Sequence, residues 1–285
     1  MKLIIVSGLS GAGKSVTLDT LEDAGFYCTD NLPIALLHDF SDLLAHSEKT
    51  GIKHAAVGID ARNDPLSLNQ FGSFIEQLKA ERVDYEVIFL RASKESLLRR
   101  FNETRRKHPL SDKNTSLDEA IDLELERLNL IASHASIQID TTHTNVHQLH
   151  DIIRDRVCLR KEHALSLQIM SFGYKHGAPN DVDFVFDARC LPNPYWEPSL
   201  RHLNGQDADV ISFLDNSELV QQYLHDNAAF LTRWIPEFIN SNRNYLTIGI
   251  GCTGGQHRSV YLTEKLAKHL SEQGLSVITR HRERP

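Results

Sequence analysis

Short apolar runs alternate with segments of helical spacing through the first half of the chain. In one such segment apolar residues recur every three or four positions, at Leu117, Ile121, Leu125 and Leu128, which is typical of a helix with one buried face. Because strands that alternate with helices form parallel sheets covered on both faces, this pattern predicts an α/β domain. Strands are predicted at residues 3–6, 26–29, 55–59, 86–90 and 136–141, and a helix from about 146 to 157.

The second half of the chain repeats this alternation after a polar connection. Residues 156–163 are polar and charged, so we place a domain boundary there and expect domains at residues 1–157 and 164–285. A second α/β domain is therefore predicted. Its predicted elements are a half-buried strand with alternating Leu165, Leu167 and Ile169, strands at 184–187 and 245–250, a helix from Ser217 through Trp234, and a helix that ends near Leu270.

Length and composition narrow the class of protein. A chain of 285 residues with 41% hydrophobic and 24% charged residues is typical of a soluble globular protein with two domains. The apolar runs are only as long as strands and the first strand leaves no room for a signal peptide, so we expect no membrane segment and a cytoplasmic location. The formal charge of −7 argues against a general nucleic-acid binder but leaves local basic patches open. The four cysteines lack C-x-x-C spacing and indicate neither a disulfide framework nor a zinc site.

A glycine-rich loop follows the first predicted strand directly and opens the first helix. It carries the complete G-x-x-x-x-G-K-[ST] pattern of a phosphate-binding loop, a P-loop. The glycines let backbone N–H groups turn toward a polyphosphate, the lysine supplies a cation for the outer phosphates, and the serine hydroxyl suits a bridging Mg²⁺. The helix adds the positive end of its dipole. The loop consists of Gly8, Leu9, Ser10, Gly11, Ala12, Gly13, Lys14 and Ser15.

Two further predicted strands end in polar residues. Asp30 and Asn31 follow one of them and are equally consistent with a nucleotide or metal contact and with an Asx-type turn. Asp60 follows the strand at 55–59, where P-loop proteins place the carboxylate that holds Mg²⁺ or its water. We therefore predict Ser15 and Asp60 as the Mg²⁺ residues, the alternative for Asp60 being a simple turn into Pro65.

A stretch dense in cations follows the strand at 86–90. In small-molecule kinases such a stretch forms a lid over the phosphates, but a solvated basic face is the alternative. The next helix is predicted to begin with a capping box of Ser116 and Glu119. The cations are Arg99, Arg100, Arg105, Arg106, Lys107 and His108, and the acidic face predicted to meet solvent on that next helix is Asp118, Asp122, Glu124 and Glu126.

A second glycine-rich turn joins a strand to a helix near the end of the chain. Residues 251–259 match the C-x5-R-S loop of cysteine phosphatases, but Gly251 stands where those enzymes usually carry histidine. We favour phosphate binding without chemistry over a phosphatase or a structural turn. Basic residues at the end of the chain, Arg280, Arg282 and Arg284, are predicted to contact RNA phosphates, with a solvated end as the alternative.

Taken together, these motifs resemble the RapZ/YvcJ family of bacterial P-loop proteins, the RNase adapters, nearly from end to end. The resemblance implies hydrolysis of ATP and GTP, with ATP at the P-loop and a guanine nucleotide at Asp60, Ala61, Arg62 and Asn63. Turnover should be slow because no residue is clearly placed to activate water. The residues that carry the resemblance are the P-loop and residues 25–28, 30–33, 60–63, 104–110, 171–177, 191–194 and 251–259.

In enteric members the resemblance further implies an adapter that presents a small regulatory RNA to a ribonuclease. There a homo-oligomer senses glucosamine-6-phosphate through its C-terminal domain. This chain departs from those members in having Tyr195 where they have histidine and in its shorter basic tail. A small-molecule kinase remains the alternative for the first domain. The predicted phosphosugar residues are Cys252, Thr253, Gly254, Gly255, His257, Arg258 and Ser259.

Overall fold

Two compact units make up the chain in the computed structural model, which describes residues 2–45, 52–159, 165–241 and 243–283. The first unit spans Met1–Leu159 and the second Arg160–Pro285. Each contains a parallel sheet with helices packed against it, so the predicted α/β fold class is confirmed. Within the described ranges, none of the helices combines the length and apolar character that crossing a bilayer requires.

The first unit has a five-stranded parallel sheet in the order β2-β3-β1-β4-β5. Strand β1 lies at its centre and is buried on both faces because helices cover both sides. Its strands are β1 (Lys2–Gly8), β2 (Tyr27–Thr29), β3 (His54–Gly58), β4 (Asp84–Arg91) and β5 (Ile137–Asp140). Its helices are α1 (Lys14–Asp23), α2 (Leu37–Ala45), α3 (Pro65–Asn69), α4 (Phe71–Ala80), α5 (Lys94–Thr104), α6 (Leu117–Ser133) and α7 (Val146–Ile153).

Helix α6 begins as predicted but buries a different face. The capping box is present, with the Ser116 side chain accepting from the backbone of Glu119 and the Glu119 side chain accepting from Ser116. The predicted apolar stripe is wrong at Leu125, which is 57% exposed. The buried stripe instead passes through Glu124, which is 0% exposed. The physical reason is that this carboxylate has partners inside the protein, described below.

The second unit has a four-stranded parallel sheet in the order β7-β8-β6-β9. The first of these strands in the chain was expected to be half-buried, but all eight residues of β6 are buried. The reason is its position between two parallel partners, where its polar side chains meet protein; the Ser171 hydroxyl, for example, lies 2.8 Å from His281 Nδ1. The elements are β6 (Ser166–Gly173), β7 (Phe184–Asp187), β8 (Tyr245–Cys252), β9 (Val277–His281), α8 (Ala208–Asp215), α9 (Glu218–Asn240) and α10 (Arg258–Glu272).

Candidate functional sites at the two glycine-rich loops

The P-loop connects β1 to α1 through backbone conformations that only glycine adopts easily. Gly8 has φ 140°, and a Cβ there would lie 2.1 Å from the carbonyl oxygen of Leu90 on the neighbouring strand. Gly13 has φ 109°, and a Cβ there would lie 2.4 Å from a methyl carbon of Leu149. The loop therefore needs glycine both for its backbone turn and for its close approach to its neighbours.

Lys14 lies inside this loop with its ammonium group against the loop backbone. Its Nζ donates to the Gly8 carbonyl over 2.6 Å. Burial lowers the pKa of Lys14, while the nearby carboxylates of Glu124, Asp60 and Asp30 oppose that shift. The lysine is thus surrounded by carboxylates at the place where a P-loop binds the outer phosphates.

Asp60 lies just beyond the end of β3, beside the P-loop strand. The Ile59 N–H donates to the Val6 carbonyl over 2.9 Å, and the Asp60 side chain is 7% exposed. Arg62 binds this carboxylate through its Nε at 2.9 Å and its terminal nitrogen at 2.5 Å. Burial alone would raise the pKa of Asp60, but the hydrogen bonds from Arg62 outweigh it and lower the pKa. The group is therefore an ionised carboxylate at neutral pH.

The residues predicted for Mg²⁺ fit that ion by the chemistry of their donor atoms. Ser15 offers a hydroxyl at the exposed start of α1, and Asp60 offers an ionised carboxylate whose charge also acts on Lys14. Hydroxyl and carboxylate oxygens are the ligands that Mg²⁺ prefers.

The predicted guanine-nucleotide residues form a tight turn with internal partners. The Asn63 Oδ1 accepts from the Ile34 N–H over 2.8 Å, and its amide nitrogen donates to the Asp60 carbonyl over 3.2 Å. Ala61 is 1% exposed. The amide of Asn63 is therefore engaged within the protein, and the assignment of GTP to these residues stays a prediction.

Two buried polar residues behind the loop were missed by the sequence analysis. Glu124 accepts from the Ser10 N–H over 2.8 Å and from the Ser10 hydroxyl over 2.7 Å. His108 Nε2 lies 3.1 Å from the same carboxylate, and neither side chain has any exposure. The expectation that Glu124 meets solvent is therefore wrong, and His108 does not belong to the solvated basic face that was the alternative to a lid. A usable signal was present, because Glu124 lies three residues after Ile121 and four before Leu128, on one helix face.

Burial by itself would raise the pKa of Glu124, but its surroundings reverse that effect. The hydrogen bond with His108, the charge of Lys14 and the two bonds from Ser10 together lower the pKa. Glu124 is therefore a buried carboxylate at neutral pH, held directly behind the P-loop.

The basic stretch predicted as a lid separates into residues with different positions. Arg100 donates to the Gly11 carbonyl over 3.0 Å and to the Thr141 carbonyl, so it fastens the P-loop from outside. The Thr141 hydroxyl donates to the Ala12 carbonyl over 3.0 Å. Arg106 is exposed and lines a cavity beside the loop, whereas Arg99 is exposed away from that lining.

This cavity opens beside the P-loop and has a volume of about 470 Å³. That volume lies in the range of small-molecule sites. Its walls combine backbone of the loop with apolar and hydroxyl side chains from α5 and from the segment that follows β5. Besides loop residues 11–15, it is lined by Val16, Arg100, Phe101, Thr104, Arg106, Thr141, Thr144, Asn145, Val146 and Leu149.

The second glycine-rich turn joins β8 to α10 and folds around a buried sulfur. Cys252 is 3% exposed, and its Sγ accepts from the Gly255 N–H over 3.2 Å and lies 3.1 Å from the Ser259 hydroxyl. Gly255 has φ 73°, and a Cβ there would lie 2.7 Å from the Gly173 nitrogen. His257 contacts the Leu200 carbonyl at 3.2 Å, and burial lowers its pKa.

Arg258 is the buried cation of this turn, and most of its donors already have partners. One terminal nitrogen donates to the carbonyls of Arg189 at 3.0 Å and Leu191 at 2.9 Å. The other lies 3.4 Å from the Thr253 hydroxyl, and the buried Nε has no hydrogen-bond partner among the described residues. Binding of a phosphate by both terminal nitrogens of Arg258 would therefore require these nitrogens to exchange partners, whereas its Nε would have no partner to give up.

The predicted RNA residues at the end of the chain differ in their surroundings. Arg280 lies within β9. Arg282 has a side chain only 8% exposed and donates to the carbonyls of Gly173 and Gly177. Arg284 lies outside the described residues. Arg282 is therefore part of the folded unit and not a solvated tail, because its guanidinium ties the end of the chain to the segment after β6; the RNA assignment stays a prediction.

A P-loop on one parallel sheet and a second parallel α/β unit define a two-domain P-loop protein. The family model described as RapZ-like N-terminal domain matches residues 1–161, and the one described as RapZ C-terminal domain matches residues 165–285. The chain belongs to the RapZ family, and the predicted resemblance is confirmed.

Curated relatives match the whole length of the chain. A nucleotide-binding protein of Thioalkalivibrio sulfidiphilus is 54% identical over 284 residues, which cover 99% of this chain and 99% of the relative. A nucleotide-binding protein of Methylococcus capsulatus is 51% identical over 285 residues, which cover 100% of this chain and 97% of the relative.

Solved structures similar to the chain cover about half of it. They include a sugar kinase from Janibacter, with a TM-score of 0.37, 15% identity and coverage of 54% of this chain and 92% of that one. A shikimate kinase from Bacteroides thetaiotaomicron has a TM-score of 0.34, 15% identity and coverage of 53% and 94%. The family assignment rests on the sequence matches.

Proposed function

We propose that this protein is a nucleotide-binding regulator that binds Mg²⁺·ATP at Gly8–Ser15 and hydrolyses it slowly. The observation that carries this proposal is Lys14, which is held at the Gly8 carbonyl, is subject to the charge of the ionised Asp60 and lines an open cavity. The family membership and the names of the relatives support nucleotide binding. When bound, Mg²⁺ would neutralise phosphate charge; this chain supplies Ser15 and Asp60 to hold it.

ATP and GTP would share one phosphate site. Asp60, the first of the predicted guanine-nucleotide residues, is one of the carboxylates that act on Lys14, so the two predicted sites adjoin. Two separate triphosphates would bring their negative charge together around a single lysine, which Coulomb repulsion disfavours. We therefore infer that ATP and GTP compete, both being hydrolysed at the P-loop.

Binding of Mg²⁺·ATP should depend on Lys14. Removing that cation leaves phosphate charge unmatched among three carboxylates, so Lys14→Ala should abolish tight binding measured by equilibrium titration while the folded structure persists. GTP should displace ATP from the unaltered protein in the same titration. Unchanged ATP affinity in the variant, or simultaneous binding of both nucleotides, would contradict the proposed site.

For the second unit we propose a sensor of glucosamine-6-phosphate that serves an adapter function. The resemblance to enteric RNase adapters supports binding of a small regulatory RNA, its presentation to a ribonuclease, and assembly into a homo-oligomer. Support for a phosphate ligand comes from the α10 N-terminus together with the buried Nε of Arg258, which has no hydrogen-bond partner in the part of the chain that the structure describes. A phosphatase is less well supported, because the Cys252 sulfur is buried, whereas reactive cysteines are partly exposed.

A further inference from the structure

The buried Glu124–His108 pair connects two parts of the proposed nucleotide site that lie far apart in sequence. On one side Glu124 binds Ser10 in the P-loop through two hydrogen bonds. On the other side His108 follows directly after Arg105, Arg106 and Lys107, which we call the basic segment. All three residues of the basic segment are exposed, and Arg106 lines the cavity.

The hydrogen bonds of His108 determine which of its two ring nitrogens carries the proton. The Leu110 N–H donates to Nδ1 over 3.1 Å, so the proton lies on Nε2 and is donated to Glu124 over 3.1 Å. The ring also packs against Phe101, with centroids 5.1 Å apart. The imidazole is therefore fixed at both nitrogens and on one face, and it fixes the chain on either side of it.

The backbone around His108 shows how it holds the basic segment. Helix α5 ends at Thr104, and Arg105 adopts φ 51°, a left-handed conformation that is unfavourable for a residue with a side chain. The His108 carbonyl then accepts from the N–H and hydroxyl of Ser111, at 3.0 and 2.9 Å. Three residues after this turn, the buried His108 side chain holds the chain through its hydrogen bonds with Glu124 and Leu110.

We propose that His108 and Glu124 are positioning residues that couple the P-loop to the basic segment and thereby bring Arg106 to the phosphates of the bound nucleotide. This inference rests on the proposed nucleotide hydrolysis for its effect on rate. The coupling itself is a property of the folded chain and can be measured without nucleotide.

The two ring nitrogens of His108 can be tested separately. In His108→Gln the side-chain amide keeps a donor near the position of Nε2, so the bond to Glu124 survives while the acceptor for Leu110 is lost. In His108→Asn the amide oxygen keeps the acceptor near Nδ1, so the bond to Leu110 survives while Glu124 loses its donor. A purely structural role would make the two variants equivalent.

Hydrogen exchange of the full-length protein without nucleotide measures the coupling. His108→Asn should raise exchange in the P-loop peptide at least about fivefold, because Glu124 loses a partner, and His108→Gln should not. Glu124→Gln gives a second measurement, because an amide oxygen can accept from Ser10 and His108 while its nitrogen donates to the Ser10 hydroxyl. Near-normal P-loop exchange in Glu124→Gln supports the proposal; equal exchange in the two His108 variants overturns it.

Steady-state hydrolysis measures the effect on the basic segment. Arg106→Ala should lower kcat at least about tenfold with little change in KM, as expected for a cation that acts in the transition state. Arg99→Ala removes the same charge from the exposed side of α5 and is the matched control. In the His108→Asn background, Arg106→Ala should lower kcat further by no more than about twofold, since Arg106 is then no longer held in place.

The outcomes separate this inference from the proposed function. If the loss of kcat in the double variant equals the product of the losses in Arg106→Ala and His108→Asn, the coupling is overturned even though the protein hydrolyses ATP. If the unaltered protein neither binds nor hydrolyses nucleotide, the proposed function fails, and the exchange comparison still decides whether His108 couples the two segments.

Discussion

Arg282→Ala tests whether this arginine stabilises the second unit or serves an external ligand. Its side chain is 8% exposed, and it donates to the Gly177 carbonyl at 2.6 Å, the Gly173 carbonyl at 3.1 Å and the Glu283 carboxylate at 2.8 Å. A hydrogen bond from a charged donor contributes about 1.5–3 kcal/mol. Water replaces part of this in the variant and Glu283 keeps other contacts, so we expect the free energy of unfolding to fall by about 2 kcal/mol.

That loss converts into a measurable change of melting temperature. A unit of about 125 residues has an unfolding entropy near 0.26 kcal/mol/K, so Tm should fall by about 8 °C. Trp196 and Trp234 are the two tryptophans of the chain and both lie in the second unit. A thermal melt of the full-length protein followed by tryptophan fluorescence therefore reports on this unit alone.

The exposed Arg233 on α9 provides the matched control. Arg233→Ala removes the same charge without buried hydrogen bonds and should change Tm by less than about 2 °C. The structural argument is refuted if Arg282→Ala has the same Tm as Arg233→Ala but weakens salt-sensitive binding of an RNA probe. In that case the Arg282 side chain contacts RNA phosphates.

Three further predictions concern the second glycine-rich loop, the carboxylate of Asp60 and the reactivity of two cysteines. Arg258→Ala should abolish the thermal stabilisation of the second unit by glucosamine-6-phosphate, whereas Cys252→Ser should largely keep it; release of phosphate that depends on Cys252 would favour a phosphatase. Arg62→Ala should raise the pKa of Asp60, because the hydrogen bonds from Arg62 lower it. Binding of Mg²⁺·ATP is present above that pKa and is lost as pH falls through it. In titrations over a range of pH, the variant should therefore lose binding at a higher pH than the unaltered protein does. Iodoacetamide should label the exposed Cys190 well before the buried Cys252, as peptide mass spectrometry can follow.

Features that depend on local sequence were predictable. The P-loop, the parallel strands and the capping box at Ser116 each follow from residues close together in the chain. The prediction failed at Leu125 and Glu124, because hydrophobicity ranks the leucine as buried and the glutamate as exposed. The spacing of Glu124 with Ile121 and Leu128 places it on the buried face, but its partner Ser10 is 114 residues away, and no periodicity reveals such a partner.

The roles of the arginines likewise depend on tertiary contacts that the sequence does not reveal. Arg100, Arg106 and Arg282 have equal charge but different roles. Arg100 holds the P-loop at the cavity wall, Arg106 is an exposed residue of the same wall, and Arg282 holds the end of the chain. Each role is set by which carbonyls the fold brings within reach. A sequence can therefore predict that a basic cluster exists, but tertiary contacts decide which members remain available to a ligand.

The hydrogen bonds that hold the P-loop backbone from other segments of the chain also matter for protein engineering. Two successive loop carbonyls are held from outside, Gly11 by Arg100 and Ala12 by Thr141, from segments 89 and 129 residues away. Because the peptide group is planar, fixing a carbonyl also fixes the direction of the adjoining N–H. Transplanting the eight-residue motif into an unrelated scaffold would carry over its glycines but not these tethers. A working graft would need an arginine on a helix that corresponds to α5 and a hydroxyl just beyond a strand that corresponds to β5, built in the same step.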